Sequence, residues 1–185
     1  MLKEQVQQVE DKMQKTISVL GDDLDTIRTG RANPKMLDKI LVDYYGTMTP
    51  IKQMAQITVP EPRTLQIQPW DKSALKLIDK AIQLANLGLN PNNDGTNIRI
   101  NIPQLTDERR GELCKQAQKL GEAAKIAVRN IRRDANDSIK KAEKKDSLPE
   151  DEVKTTLDEI QKLTDNAIKD IDKKIEAKEK DIKEI

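Results

Sequence analysis

Five cations recur along one stretch of the chain: Lys125, Arg129, Arg132, Arg133 and Lys140. On a helix these spacings of three, four and seven gather them on one side, away from Ala127 and Ile131. A guanidinium offers a planar fork of N–H donors that matches two phosphate oxygens, so arginine at the centre of the row suits bidentate anion contact. Only Asp134 and Asp137 lie close in sequence to neutralise the row, and a surface ion pair contributes at most about 1 kcal/mol. Composition leaves two readings open. The row is either the solvated face of a long helix or a surface for the phosphates of structured RNA, recognised by shape and charge.

Other chemistry is thinly represented. The 185 residues include no His, no Phe, one Cys and one Trp, so histidine-based catalysis and a Cys/His zinc site are excluded. Cys114 has no partner for an intramolecular disulfide and no histidine to activate it, which fits a small, partly buried thiol in a reducing compartment and a cytoplasmic protein. There is no glycine-rich phosphate loop, no GxSxG and no HExxH. The carboxylates mostly alternate with lysines, as on solvated helix faces. We therefore expect no enzyme, no cofactor and no metal. "NNDG", Asn92 to Gly95, reads as a tight turn rather than a metal loop. Trp70 is expected to help fill a small core, and Tyr44 and Tyr45, adjacent on a strand, to face opposite ways. The aromatics form no stacking platform for single-stranded nucleic acid. The polar N-terminus is unlike a signal peptide, and no run of about eighteen apolar residues could span a membrane.

Three apolar seams with three-four spacing supply the elements that must carry the cations. The first runs Leu2, Val6, Val9, Met13, Ile17, Leu20, Leu24 and Ile27 and predicts a helix ending at Gly30, ~42 Å long at the usual rise. The second follows Thr106, a good N-cap with Asp107 and Glu108 at the positive end of the helix dipole, and runs from Leu113 to Ala142. Its many alanines permit close helix approach. At "KKDSLPED" Ser147 is expected to cap the next helix and Pro149 to sit in its first turn. The third seam runs from Val153 through Ile160, Ala167, Ile171 and Ile182 to Ile185. One stripe per helix is poorly stable alone, so the three should bury their stripes together as an elongated bundle.

Between these seams the period changes. "KILVDYYG" and "QITVPEPRTLQIQPW" read as strands, the latter a hairpin turning at "PEPR". "DKSALKLIDKAIQLANLG" reads as a short helix started by Asp71 and stopped at Gly88, and "GLNPNNDGTNIRINIP" as a second hairpin turning at Asp94-Gly95. The predicted class is α+β: a three-helix bundle from residues 1–30 and 105–185, with a small β-rich α/β domain, 31–104, inserted between helices one and two. The chain crosses between them at Gly30-Arg31 and Leu105-Thr106, a plausible hinge. The net charge of +1 is unevenly spread. Residues 106–145 carry 12 basic and 7 acidic groups (+5), whereas residues 146–185 carry 8 and 13 (−5).

Six motifs in order, "GRANP" (Gly30 to Pro34), "VDYYG" (Val42 to Gly46), "VPEPRTLQIQPWD" (Val59 to Asp71), "GLNPNNDG" (Gly88 to Gly95), "LTDERR" (Leu105 to Arg110) and "VRNIRRDAND" (Val128 to Asp137), resemble bacterial ribosome recycling factor over essentially the whole chain. The resemblance implies an L-shaped monomer whose bundle arm contacts large-subunit ribosomal RNA and whose β-rich arm meets elongation factor G. It implies that the post-termination ribosome is split into subunits, with GTP hydrolysed by the partner. Family RNA contacts fall on Arg132 and Arg129 here, with Arg28 and Arg31 secondary, while Arg133, Lys125 and Lys140 add positive field. The opposing reading is a helical adaptor whose basic row meets an acidic protein.

Overall fold

The structure, a computed structural model, describes residues 1–184; Ile185, expected to close the third seam, lies outside the described residues. The chain forms two compact units: Met1–Thr29 with Thr106–Glu184, and Gly30–Leu105.

The first unit is a bundle of α1 (Leu2–Asp25), α4 (Asp107–Asp146) and α5 (Glu150–Lys183), each packed on the other two. Their interior is a narrow aliphatic seam that includes Met13 and Leu20 of α1, Val128 and Ile139 of α4, and Ile160 and Ile171 of α5, all buried. Thr106 caps α4 as expected, its Oγ1 accepting from the Arg109 N–H at 3.2 Å. The first helix ends earlier than expected, at Asp25. The Thr26 hydroxyl and N–H both turn back to the Asp23 carbonyl, and the Ile27 N–H to that of Leu24, tightening the last turn. Ile27 stays buried nonetheless.

The α4–α5 connection differs from expectation. Ser147 closes α4 rather than opening α5: it adopts the left-handed conformation (φ 49°), and its N–H and that of Leu148 both bond the Glu143 carbonyl. Pro149 stands at the N-cap of α5, one residue before the first turn. It has no capping side chain, and Glu150, Asp151 and Glu152 supply negative charge to the helix end instead.

The second unit holds β1 (Leu41–Tyr44), β2 (Thr47–Pro50), the single turn α2 (Ile51–Met54), β3 (Ala55–Glu61), β4 (Thr64–Pro69), α3 (Leu75–Leu84), β5 (Pro91–Asn93) and β6 (Ile98–Asn101). β1 and β2 pair antiparallel across Tyr45-Gly46, both at positive φ. Strand β2 was not foreseen, because the turn has Tyr45 in the first left-handed position, where Asn or Asp usually signals a hairpin. The other four strands form a sheet in the order β3-β4-β6-β5, all pairs antiparallel. The turns at Pro62-Arg63 and Asp94-Gly95 are those the sequence predicts. Its core is aliphatic, with Ile51, Leu65, Ile67, Ile78, Ile98 and Ile100 fully buried.

Trp70 is not part of that core. It is 70% exposed, because buried Leu65, Ile67 and Pro69 take the inward parity of β4 and the aliphatic side chains already fill the interior. Tyr45 is exposed and Tyr44 half-buried. The Tyr44 hydroxyl donates to Asp71 Oδ2 at 2.9 Å, which raises its pKa. Hydrogen bonds from Ser73 and then from Tyr44 hold Asp71 below the usual carboxylate range.

Gly121 of α4 packs against Ile175 of α5 with no room for a side chain. A Cβ there would lie 2.7 Å from Cγ1 and 2.9 Å from Cδ1 of Ile175. Overpacking of this kind costs about 1–3 kcal/mol, against about 1 kcal/mol recovered when alanine replaces a helical glycine. Gly121→Ala should therefore lower thermal stability, and adding Ile175→Val should return part of the loss. Gly111→Ala, on the same helix with nothing within 4 Å of a new Cβ, should instead stabilise by up to about 1 kcal/mol. Denaturant melts of the variants distinguish these signs.

Candidate nucleic-acid interface

All five cations of the row sit on α4, as their spacing requires, but α5 treats them differently. Three α4 residues seven apart, Gln118, Lys125 and Arg132, each meet an α5 side chain. Gln118 Nε2 donates to Glu179 Oε1 at 2.8 Å. Lys125 Nζ lies 2.5 Å from Asp172 Oδ1 and 3.5 Å from Glu122 Oε1. Arg132 Nη1 donates to Gln161 Oε1 at 3.3 Å. The two helices thus run antiparallel along a polar seam whose partners change from acid to amide.

Lys125 is held inside this seam, with its side chain 18% exposed. Hydrogen bonding to Asp172, reinforced by the charges of Asp172 and Glu122, pushes its pKa up. Sequence proximity suggested only Asp134 and Asp137 as neutralising groups and missed both acids that hold this lysine. Glu122, at i−3, was readable from helical spacing; Asp172 required the register between two helices.

The arginines are placed otherwise. Arg129 and Arg132 are half-buried and Arg133 exposed. Among the described residues none of the three makes a salt bridge, with Asp134, Asp137 or any other acid. Arg132 is fixed by a neutral amide and keeps its charge. Lys140 is exposed, one turn beyond half-buried Asn136 and beside buried Ile139. Arg28 and Arg31 are both exposed and flank buried Gly30, whose φ is 77°. Leu105 is half-buried, and Thr106 is the α4 cap already described. Cys114 is a half-buried free thiol. Among the described residues no cluster of three or more His, Cys, Asp or Glu could hold a metal, and no helix is long and apolar enough to cross a membrane.

A row of arginines on a 40-residue helix, charged and not internally neutralised, can bind phosphates in register along a rigid surface. It offers no nucleophile, general base or nucleotide cradle.

Comparison with known proteins places the chain in a family. The sequence profile of the family described as ribosome recycling factor matches residues 20–182. The chain is 55% identical over 185 residues to the ribosome-recycling factor of Clostridium acetobutylicum, covering 100% of both chains. It is 58% identical over 177 residues to that of Brevibacillus brevis, covering 96% of each. Among solved structures, it is similar to a solution structure of ribosome recycling factor with a TM-score of 0.81 and 41% identity, covering 100% of this chain and 98% of that one. It is also similar, with a TM-score of 0.67, 47% identity and 98% of each chain covered, to the T. thermophilus ribosome recycling factor described with E. coli elongation factor G bound to the E. coli post-termination complex. By profile, by relatives and by structure, the chain belongs to the ribosome recycling factor family.

Proposed function

We propose that the chain binds the post-termination ribosome in the cytoplasm and, together with elongation factor G and GTP, splits it into subunits for reuse, working as a monomer and catalysing no covalent chemistry. The observation that carries this reading is the arginine row on α4 in a chain of this family: positive, reachable from solvent though half-buried at Arg129 and Arg132, and paired with no acid of its own bundle among the described residues. The bundle, residues 1–30 and 105–185, is the arm for large-subunit ribosomal RNA. Arg132 and Arg129 make the principal phosphate contacts. Arg133 adds field, Lys125 contributes less because it is committed to Asp172, and Arg28 and Arg31 are secondary contacts.

The inserted unit, residues 31–104, is the surface on which elongation factor G acts. Its exposed Tyr45, Met48 and Trp70 belong to the residue types most enriched where proteins bury one another. The β1–β2 hairpin and the Trp70 segment are joined by the Tyr44–Asp71 hydrogen bond, which makes them one pre-organised surface. Load passes to the bundle through the crossings at Gly30-Arg31 and Leu105-Thr106, which act as the hinge. Energy comes from GTP hydrolysed by the partner.

The test is splitting of post-termination ribosomes with and without elongation factor G and GTP; no splitting under any such condition overturns the proposal. Arg132→Ala should weaken ribosome binding by about 1–3 kcal/mol, the range for losing a charge-assisted contact, with little change in melting temperature. Early unfolding with normal binding once folded would make the arginine structural. Trp70→Ala should leave both ribosome binding and melting temperature nearly unchanged while slowing elongation-factor-dependent splitting. Deleting Leu105 should preserve binding and impair splitting; unchanged splitting removes the hinge from the mechanism.

A further inference from the structure

Arg132 is the one cation of the row with a designated neutral partner on another helix. Its Nη1 donates to Gln161 Oε1 at 3.3 Å, and Gln161 Nε2 donates to Asp165 Oδ1 at 2.9 Å. We infer that Gln161 and Asp165 of α5 are positioning residues for Arg132, a relay that aims the guanidinium while leaving its charge available to a phosphate. The inference rests on the reading of Arg132 as a ribosomal RNA contact.

The direction of the relay follows from the chemistry of its groups. An ionised carboxylate only accepts hydrogen bonds. Asp165, one helical turn from Gln161, therefore takes the amide NH₂ and turns the amide oxygen toward α4. That oxygen accepts one of the five guanidinium N–H donors and leaves four for a ligand. A carboxylate at position 161 would instead form a forked ion pair with Arg132, and a phosphate would have to displace it. At the next rung of the same seam, Lys125 faces the Asp172 carboxylate, so the amide at 161 is not a general feature of the α4–α5 contact. Pinning the long side chain before binding spares the ordering cost of one rotamer-rich residue, about two- to tenfold in affinity.

The experiment is a salt titration of binding to vacant ribosomes by the full-length chain and by Arg132→Ala, Gln161→Ala, Gln161→Glu and the double variant Arg132→Ala/Gln161→Ala. Gln161 is exposed, and alanine and glutamate both suit a helix, so each variant should fold; melting curves verify this. Gln161→Ala should weaken binding about two- to tenfold when Arg132 is present and have no effect when it is absent. Gln161→Glu should weaken binding at low salt and flatten the dependence of log K on log salt by about one phosphate contact. A merely structural role for Gln161 moves neither the coupling nor the salt slope. If Arg132→Ala weakens binding while Gln161→Ala is silent, or equally costly in both backgrounds, the relay alone is overturned. If Arg132→Ala itself leaves binding unchanged, the RNA-contact reading falls and the relay falls with it.

Discussion

The close approach of α4 and α5 at Gly121 is the constraint on which the polar seam between these two helices depends. With no Phe and its single Trp lying in the other unit, the bundle cannot fill wide gaps with rings and must bring backbones together over small side chains. Gly121, Ala117, Ala124 and Ala167 are buried for this reason, and Ile175 lies over Gly121 where a methyl group would not fit. That proximity lets side chains of moderate length reach across the seam. Gln118, Lys125 and Arg132 find partners on α5 because of it.

Much of the bundle was legible in the sequence because three-four periodicity reports directly on burial. The seam residues Met13, Leu20, Ile139, Ile160 and Ile171 are all buried. The same method missed Gly121, Thr156 and Thr164, which are buried without being counted as apolar. Each threonine hydroxyl donates to the carbonyl four residues earlier, Thr156 to Glu152 and Thr164 to Ile160, so its polarity is satisfied inside its own helix and the methyl is left to pack. Ser147 was misassigned because serine is a common N-cap, whereas here the antiparallel turn needs a residue at positive φ and the preceding helix claims it.

The site was legible to a different depth. Spacing alone put the cations on one side of one helix, but their electrostatic state depends on α5, whose register against α4 is a tertiary fact. Sequence distance could not show that Asp172 neutralises Lys125 or that Gln161 meets Arg132. Trp70 illustrates the opposite error. Size and hydrophobicity argued for a core position, yet strand parity placed the side chain outward, and Ile67 and Ile98, paired across β4 and β6, already occupy the interior.

Charge layout along the α4–α5 seam then separates two kinds of cation in a segment that composition reports only as basic. Residues 146–185 are strongly acidic, so an α4 cation chosen at random would be expected to meet a carboxylate. Lys125 does. Arg132, seven residues on, meets an amide whose own donor is already taken by Asp165. A bundle selected only for stability would gain little from that choice, since a carboxylate at 161 would make a stronger cross-helix contact with the guanidinium. An amide fixes the geometry and leaves the charge available, and this combination matters where the guanidinium must still bind something outside the chain.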